Sequence, residues 1–329
     1  FCRPPDPARS PCPAAGRSAR GGAEHGSVRA IVVKIIFHSD DLGITAGATR
    51  QILSAWAAGA LDGFSVIANG EALDAVRQEL EKHPERPARI AVHFNLTERA
   101  PSAPEREVSM LLGPDGMFRH SFGSLFAKWL LSSRSDWSAL LRQVEIECRA
   151  QISAVRAASG GRRVQAIDGH NHVHMIPGIF SAVAGAAQHE GVPEIRISRE
   201  PFYLAEPVRD LLRGFWWVNL VKHALLRWLS RRAVPVTARH TLQFPEYMIG
   251  ILYTGHMNRR RAQRGIDAAA ALDASTVELV FHVGHSEEAE ASRWAGSGAT
   301  ASFHLSRSRR IEYEELMSWR GEKSSLRLR

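Results

Sequence analysis

The chain has 329 residues, 44% of them hydrophobic and 23% charged, which is enough apolar material for a sizeable core. Three unevenly placed cysteines exclude a disulfide scaffold and a Cys-x-x-Cys zinc knuckle, and point to a reducing, cytoplasmic setting. The net charge of +8 is no nucleic-acid footprint: residues 1–30 hold five arginines against Asp6 and Glu24, and residues 320–329 hold four basic groups against Glu322, so little is left for the body.

Residues 1–30 are rich in Pro, Gly, Ala, Ser and Arg, lack the apolar run of a secretory leader, and are expected to form a disordered basic tail, as are 320–329. The fold is expected within 31–319. Val32-Val33-Lys34-Ile35-Ile36-Phe37 is short, apolar and β-branched, and predicts a strand over 31–37. A helix over about 46–60, a strand over 64–68, a helix over 72–82 and a strand over 89–95 follow. Pro101, Pro104, Gly113, Pro114 and Gly116 break residues 98–122 into a long polar insertion. Next come a helix over 136–158, a strand over 163–167, a helix over 178–190 and a strand over 194–198. Residues 202–257 read as irregular apart from a Trp-rich helix near 215–232, and a helix over 259–272, a strand over 276–282 and a helix over 309–318 end the series.

Alternating strands and helices predict a parallel sheet with helical crossovers, here a distorted (β/α) TIM-like barrel in a single domain with insertions. The Trp-rich segment is shorter than the ~20 apolar residues needed to cross a bilayer. Asn219, His223, Arg227 and Ser230 recur on it at helical spacing and give it one polar face. Such a helix suits a cover over the barrel, a homodimer seam, or peripheral membrane contact that would make the protein membrane-associated.

Chemistry-bearing residues fall at predicted strand ends, where barrel enzymes gather their active sites. The first strand runs into Asp40-Asp41, two adjacent carboxylates that repel unless a cation or proton lies between them. One Asp suits a helix cap; the second is left over. The third strand contains His93, and the late strand ends at His282. The fourth ends in Asp168-Gly169-His170-Asn171-His172-Val173-His174, whose alternate histidines would share one side if the segment were extended. Imidazole is the commonest protein ligand for metals, so this run is a metal-site candidate. Spacing alone does not separate the three histidines. Arg196 and Arg199 lie at another strand end, where one could orient Asp40 or a substrate group or the pair could be solvated.

These motifs, in order and spacing, resemble the YdjC-like carbohydrate deacetylases, which include chitooligosaccharide deacetylases and a branch associated with hopanoid biosynthesis. The resemblance covers about 33–318 through His38-Ser39-Asp40-Asp41-Leu42-Gly43, Ala91-Val92-His93-Phe94-Asn95-Leu96-Thr97, Asp168 to His174, and Glu278-Leu279-Val280-Phe281-His282-Val283-Gly284. It implies a distorted barrel, an acetamido-sugar substrate (oligosaccharide or glycolipid) and one divalent metal, zinc or magnesium. It further implies Asp41, His93 and His170 as metal ligands, Asp40 as general base and His282 as general acid. Leu42, Ala91 and Val283 depart from the family pattern without touching a ligating atom. Asp168, His172, His174, Arg196 and Arg199 are left as supporting or substrate-binding residues, with Asp168 suited to hold an imidazole N–H. The alternatives are a metal-dependent phosphoesterase or amidohydrolase on a similar barrel, and a non-enzymatic binding protein at a membrane surface.

Overall fold

The computed structural model describes residues 33–207, 214–285, 290 and 303–320, so the expected tails lie outside the described residues except for Arg320. Seven strands form one parallel sheet: β1 (Lys34–Leu42), β2 (Gly63–Val66), β3 (Arg89–Phe94), β4 (Val164–Gly169), β5 (Glu194–Ile195), β6 (Tyr247–Ile249) and β7 (Thr276–Phe281). Their order is β5-β4-β3-β2-β1-β7-β6. The two edges meet, because Glu194 bridges Gln243 and the Met248 N–H donates to the Arg199 carbonyl at 2.8 Å. The sheet is therefore a distorted seven-stranded barrel, as the strand–helix alternation predicted.

Helices cover it: α1 (Ala46–Ala57), α2 (Leu73–Lys82), α3 (Phe122–Leu131), α4 (Arg134–Ala158), α5 (Ile179–His189), α6 (Gly214–Arg239), α7 (Arg259–Ala270) and α8 (Arg307–Ser318). Side-chain oxygens of Thr45, Ser121, Ser133 and Asn258 accept backbone N–H groups at the starts of α1, α3, α4 and α7, which satisfies donors that a helix leaves open. α4 buries Leu140, Val144, Cys148, Ile152 and Val155 along one stripe.

Strand alternation divides the molecule. Phe37, Phe64, Val92, Ile167, Leu279 and Phe281 point outward into the apolar core shared with the helices. The alternate residues His38, Ser65, Asp168, Arg196 and Glu278 touch one another across the barrel interior, which is polar.

Five differences from the sequence reading have local causes. β1 runs on to Leu42 and contains Asp40 and Asp41, with a register shift against β2 between Ser39 and Leu42. α3 occupies part of an unassigned stretch and begins with a Ser121/Ser124 capping box. The short β6 lies in the segment read as irregular, and β5 stops after two residues because the chain there turns to close the barrel. α6 continues through Pro235 to Arg239. Burial of Leu226, Leu229, Ala233 and Val236 outweighs the cost of about 3 kcal/mol for an interior proline.

The polar face of α6 also points the opposite way from a surface helix. Asn219, His223 and Ser230 are buried and bond the carbonyls of Leu252, Glu200 and Ser198, whereas Val218 and Val221 are each 69% exposed. Among the described residues no helix is long and apolar enough to cross a membrane.

Gly169, at the end of β4, has an ordinary extended backbone and is required for space: a Cβ there would strike the ring of His174. Gly169→Ala is expected to lower stability by about 1–3 kcal/mol through overpacking, read from the denaturant midpoint.

Candidate metal centre and its pocket

Residues at the C-terminal ends of β1, β3, β4 and β7 line one cavity of about 1100 Å³. Asp40 and Asp41 are neighbours, so a regular strand would send them to opposite faces. The bulge at the end of β1 removes that conflict. Asp41 has φ 69°, a left-handed conformation unusual for a residue other than glycine, and both carboxylates reach the cavity.

The turn after β4 separates the three histidines. Asn171 and His172 have φ of 52° and 56° inside a short 3₁₀ segment, so His170, His172 and His174 do not share a face as an extended segment would require. His170 enters the cavity beside Asp41. His172 Nδ1 lies 2.9 Å from Ser198 Oγ, and His174 Nε2 donates to the Arg196 carbonyl at 2.9 Å. Burial holds His174 at about 4 and His172 well below its ordinary value, with Lys222 adding to the latter. His174 therefore packs beneath the site as a neutral residue.

Asp41, His93 and His170 offer one ligand atom each, all within 4.8 Å of one another, and all three residues are buried. Asp41 Oδ1 is 3.1 Å from His170 Nδ1 and 3.4 Å from His93 Nε2. On the outer side, His93 Nδ1 is 2.5 Å from Asp168 Oδ1. Burial would lower both imidazoles, but Asp168 and Asp40 raise His93 to about 10, and Glu98 and Asp41 raise His170 to about 9. The cluster thus favours positive charge at its centre. A carboxylate with two imidazoles fits a divalent metal with open positions, and such a metal would displace protons from the nitrogens it binds.

Asp40 lies beside this cluster. Arg196, 3% exposed, reaches both of its oxygens at 2.9 Å, lies 3.0 Å from Asp168 Oδ2, and donates to Glu278 Oε2 at 2.6 Å. Arg89 donates to Glu278 and Glu194, each at 2.8 Å, and extends the charge network down the barrel. Arg199 is not part of it; its guanidinium packs on Tyr247 and bonds the phenol oxygen at 2.9 Å.

His282 lines the cavity, with its ring edge against Phe303. Burial, opposed by Asp40 and Asp41, holds it at about 4, so it is neutral at pH 7. Helix α8 grips this side. Arg309, fully buried, donates to Asp41 Oδ2 at 2.8 Å, and Glu312, one turn later, accepts the N–H groups of His282 and Met257 at 2.8 and 2.7 Å.

Ser65, Glu98, Glu278, Arg309, Glu312 and the cavity lysine Lys222 are absent from the sequence-derived site. Glu278 carried a readable signal, a charge within an apolar strand, which marks a buried ion pair. Arg309 and Glu312 carried none, because α8 is charged throughout.

A family model described as YdjC-like protein matches residues 34–322. A human protein named carbohydrate deacetylase is 29% identical over 262 residues, covering 77% of this chain and 75% of its own. A chitooligosaccharide deacetylase of Escherichia fergusonii is 28% identical over 169 residues, covering 51% and 61%. A crystal structure from Enterococcus faecalis, of a protein provisionally assigned to cellobiose-phosphate cleavage, superposes with a TM-score of 0.56 at 18% identity, covering 88% of this chain and 95% of that one. That likeness concerns the fold.

Two outcomes test the network. Arg196→Met leaves buried carboxylates unpaired and is expected to cost about 3–5 kcal/mol in denaturant unfolding. Burial alone would raise Glu278, but Arg196 and Arg89 outweigh it and hold its carboxyl far below the ordinary range. Its contribution is therefore complete above the unfolded value of about 4.3 and is lost as pH falls through that value toward the folded one. Unfolding free energies measured from pH 7 down to pH 3 should fall less steeply for Glu278→Gln than for wild type.

Proposed function

The chain belongs to the YdjC-like protein family, and from that premise we propose that it is a metal-dependent hydrolase that removes the N-acetyl group from an acetamido sugar. The observation that carries the reading is the buried Asp41, His93 and His170 cluster with Asp40 anchored beside it on the floor of a large cavity. The named relatives act on carbohydrates by deacetylation, and the donor set suits the metal that such chemistry uses.

A bound divalent metal, zinc or magnesium, would polarise the acetyl carbonyl and lower the pKa of a water. Asp41, His93 and His170 would hold the metal. Asp40, kept in place by Arg196, removes a proton from the attacking water. The new C–O bond forms at the acetyl carbon, the C–N bond breaks, and acetate leaves. His282 delivers a proton to the departing nitrogen. Because His282 starts neutral, it must take up a proton before it can deliver one.

The cavity is at or above the upper end of the roughly 300–1,000 Å³ usual for small-molecule pockets, which suits an oligosaccharide or a sugar on a larger carrier. One observation favours the carrier. Val218, Val221 and Leu225 of α6 line one wall, and Val218, Val221 and neighbouring Trp217 are open to solvent at its mouth. This apolar border supports a glycolipid over a free chitooligosaccharide. The same strip is where peripheral membrane contact or a homodimer seam would form.

Acetate release from N-acetylated oligosaccharides and glycolipids, with chelated and metal-restored protein, tests the activity; phosphate release from sugar phosphates in the same panel would instead favour a phosphoesterase, and no turnover a binding protein. Asp40→Asn is expected to retain metal on elemental analysis while losing at least about 10²-fold in turnover. Full turnover by that variant would remove Asp40 as the base.

A further inference from the structure

We infer that Glu98 is a positioning residue that dictates which nitrogen of His170 is offered to a bound cation. The inference rests on the metal reading above and goes beyond it, since it assigns a role to a residue outside the ligand set.

His170 stands between two carboxylates. Its Nδ1 faces the cluster, 3.1 Å from Asp41 Oδ1 and 3.2 Å from His93 Nε2. Its Nε2, on the other side of the ring, is 2.8 Å from Glu98 Oε1. An ionised carboxylate only accepts hydrogen bonds, so this contact requires a proton on Nε2. A neutral imidazole with its proton on Nε2 has its lone pair on Nδ1, toward Asp41 and His93. His93 is set in the opposite sense, with Asp168 holding Nδ1 so that Nε2 faces the cluster. The two histidines therefore present different nitrogens, and a different carboxylate enforces each choice.

The loop after β3 is built to hold Glu98 in place. Asn95 Oδ1 accepts the N–H of Thr97 at 2.9 Å and of Glu98 at 3.3 Å. The Glu98 carbonyl accepts from Asn95 Nδ2 at 2.8 Å and from Asn69 Nδ2 at 3.0 Å. With its backbone bonded at both ends, Glu98 presents its carboxylate from a fixed base. The His304 ring lies nearly parallel to that of His170, with centroids 6.1 Å apart, and its Nε2 is 3.9 Å from Glu98 Oε2. Glu98 meets Nε2 whereas Asp41 meets Nδ1, so Glu98 stands outside the Asp41, His93 and His170 group, although with His170 and His304 it forms a second group whose donor atoms lie within 4.8 Å of one another. One strand with its following loop thus supplies a ligand, His93, and the group that orients the next ligand.

Glu98→Gln and Glu98→Ala separate this role from others. The glutamine carbonyl still accepts from Nε2, whereas alanine cannot. Zinc affinity measured by competition with a chromophoric chelator should fall about 10–100-fold in Glu98→Ala and stay close to wild type in Glu98→Gln. In zinc-loaded protein carrying ¹⁵N-histidine, the His170 Nε2–H signal should be present in wild type and lost to solvent exchange in Glu98→Ala, while the His93 Nδ1–H signal is unchanged. Should the alanine variant fail to fold, the glutamine variant still decides, because replacing a charged acceptor by a neutral one must shift the His170 Nε2–H proton. An unshifted proton, an unchanged zinc affinity in Glu98→Ala, or a rise in KM with unchanged zinc binding would each overturn the inference. Failure of wild-type protein to bind any divalent metal would instead overturn the metal reading.

Discussion

The structure depends on one buried cation. Arg196 stands inside the barrel with Asp40, Asp168 and Glu278 around its guanidinium, and all four are buried, with Asp40 alone of them reaching the cavity. Three carboxylates this close could not all stay ionised in a dry interior without it; some would take up protons. Each ionised carboxylate has a use that a protonated one lacks. Asp40 can accept a proton from water, Asp168 can fix the Nδ1–H of His93, and Glu278 passes the charge balance to Arg89 and Glu194 at the far end. A planar fork can meet three acceptors in different directions, which a lysine ammonium at the same place would do less well.

Around that centre, two departures from regular backbone aim the reactive groups. The left-handed Asp41 in the β1 bulge lets sequence neighbours face one cavity, and the left-handed pair Asn171 and His172 sends three closely spaced histidines to three destinations. Such conformations are costly and persist where surrounding contacts over-determine them. Arg309 supplies one such contact, since it fixes the outer oxygen of Asp41 from α8. Glu312, on the same helix, fixes the backbone of His282, so the last described helix stabilises both sides of the site.

Much of the site was legible because barrel enzymes place chemistry at strand ends, and strands are recognisable as short apolar runs. Asp40, Asp41, His93, His170 and His282 could be picked out on that basis and on the resemblance that their spacing supports. The separation of His170 from His172 and His174 was not legible, because the periodicity used to place them assumes an extended chain and the turn is not extended. The direction of α6 was not legible either, because a polar stripe does not say which way it faces. The open carbonyls of Ser198, Glu200 and Leu252 on the barrel rim needed donors, and burying Asn219, His223 and Ser230 provides them.

The sequence by itself determined the alternation of strands and helices, the chemical types at the strand ends, and the family to which the chain belongs, because these follow from local periodicity and residue order. The tertiary structure decided the partners. Arg196 meets Asp40 across 156 positions, Arg309 meets Asp41 across 268, and Glu98 meets His170 across 72. Barrel closure and the docking of α8 set those contacts, and no local pattern encodes them, because whether a buried charge is a hub, a positioning group or a ligand depends on which opposite charge the fold places within about 3 Å of it.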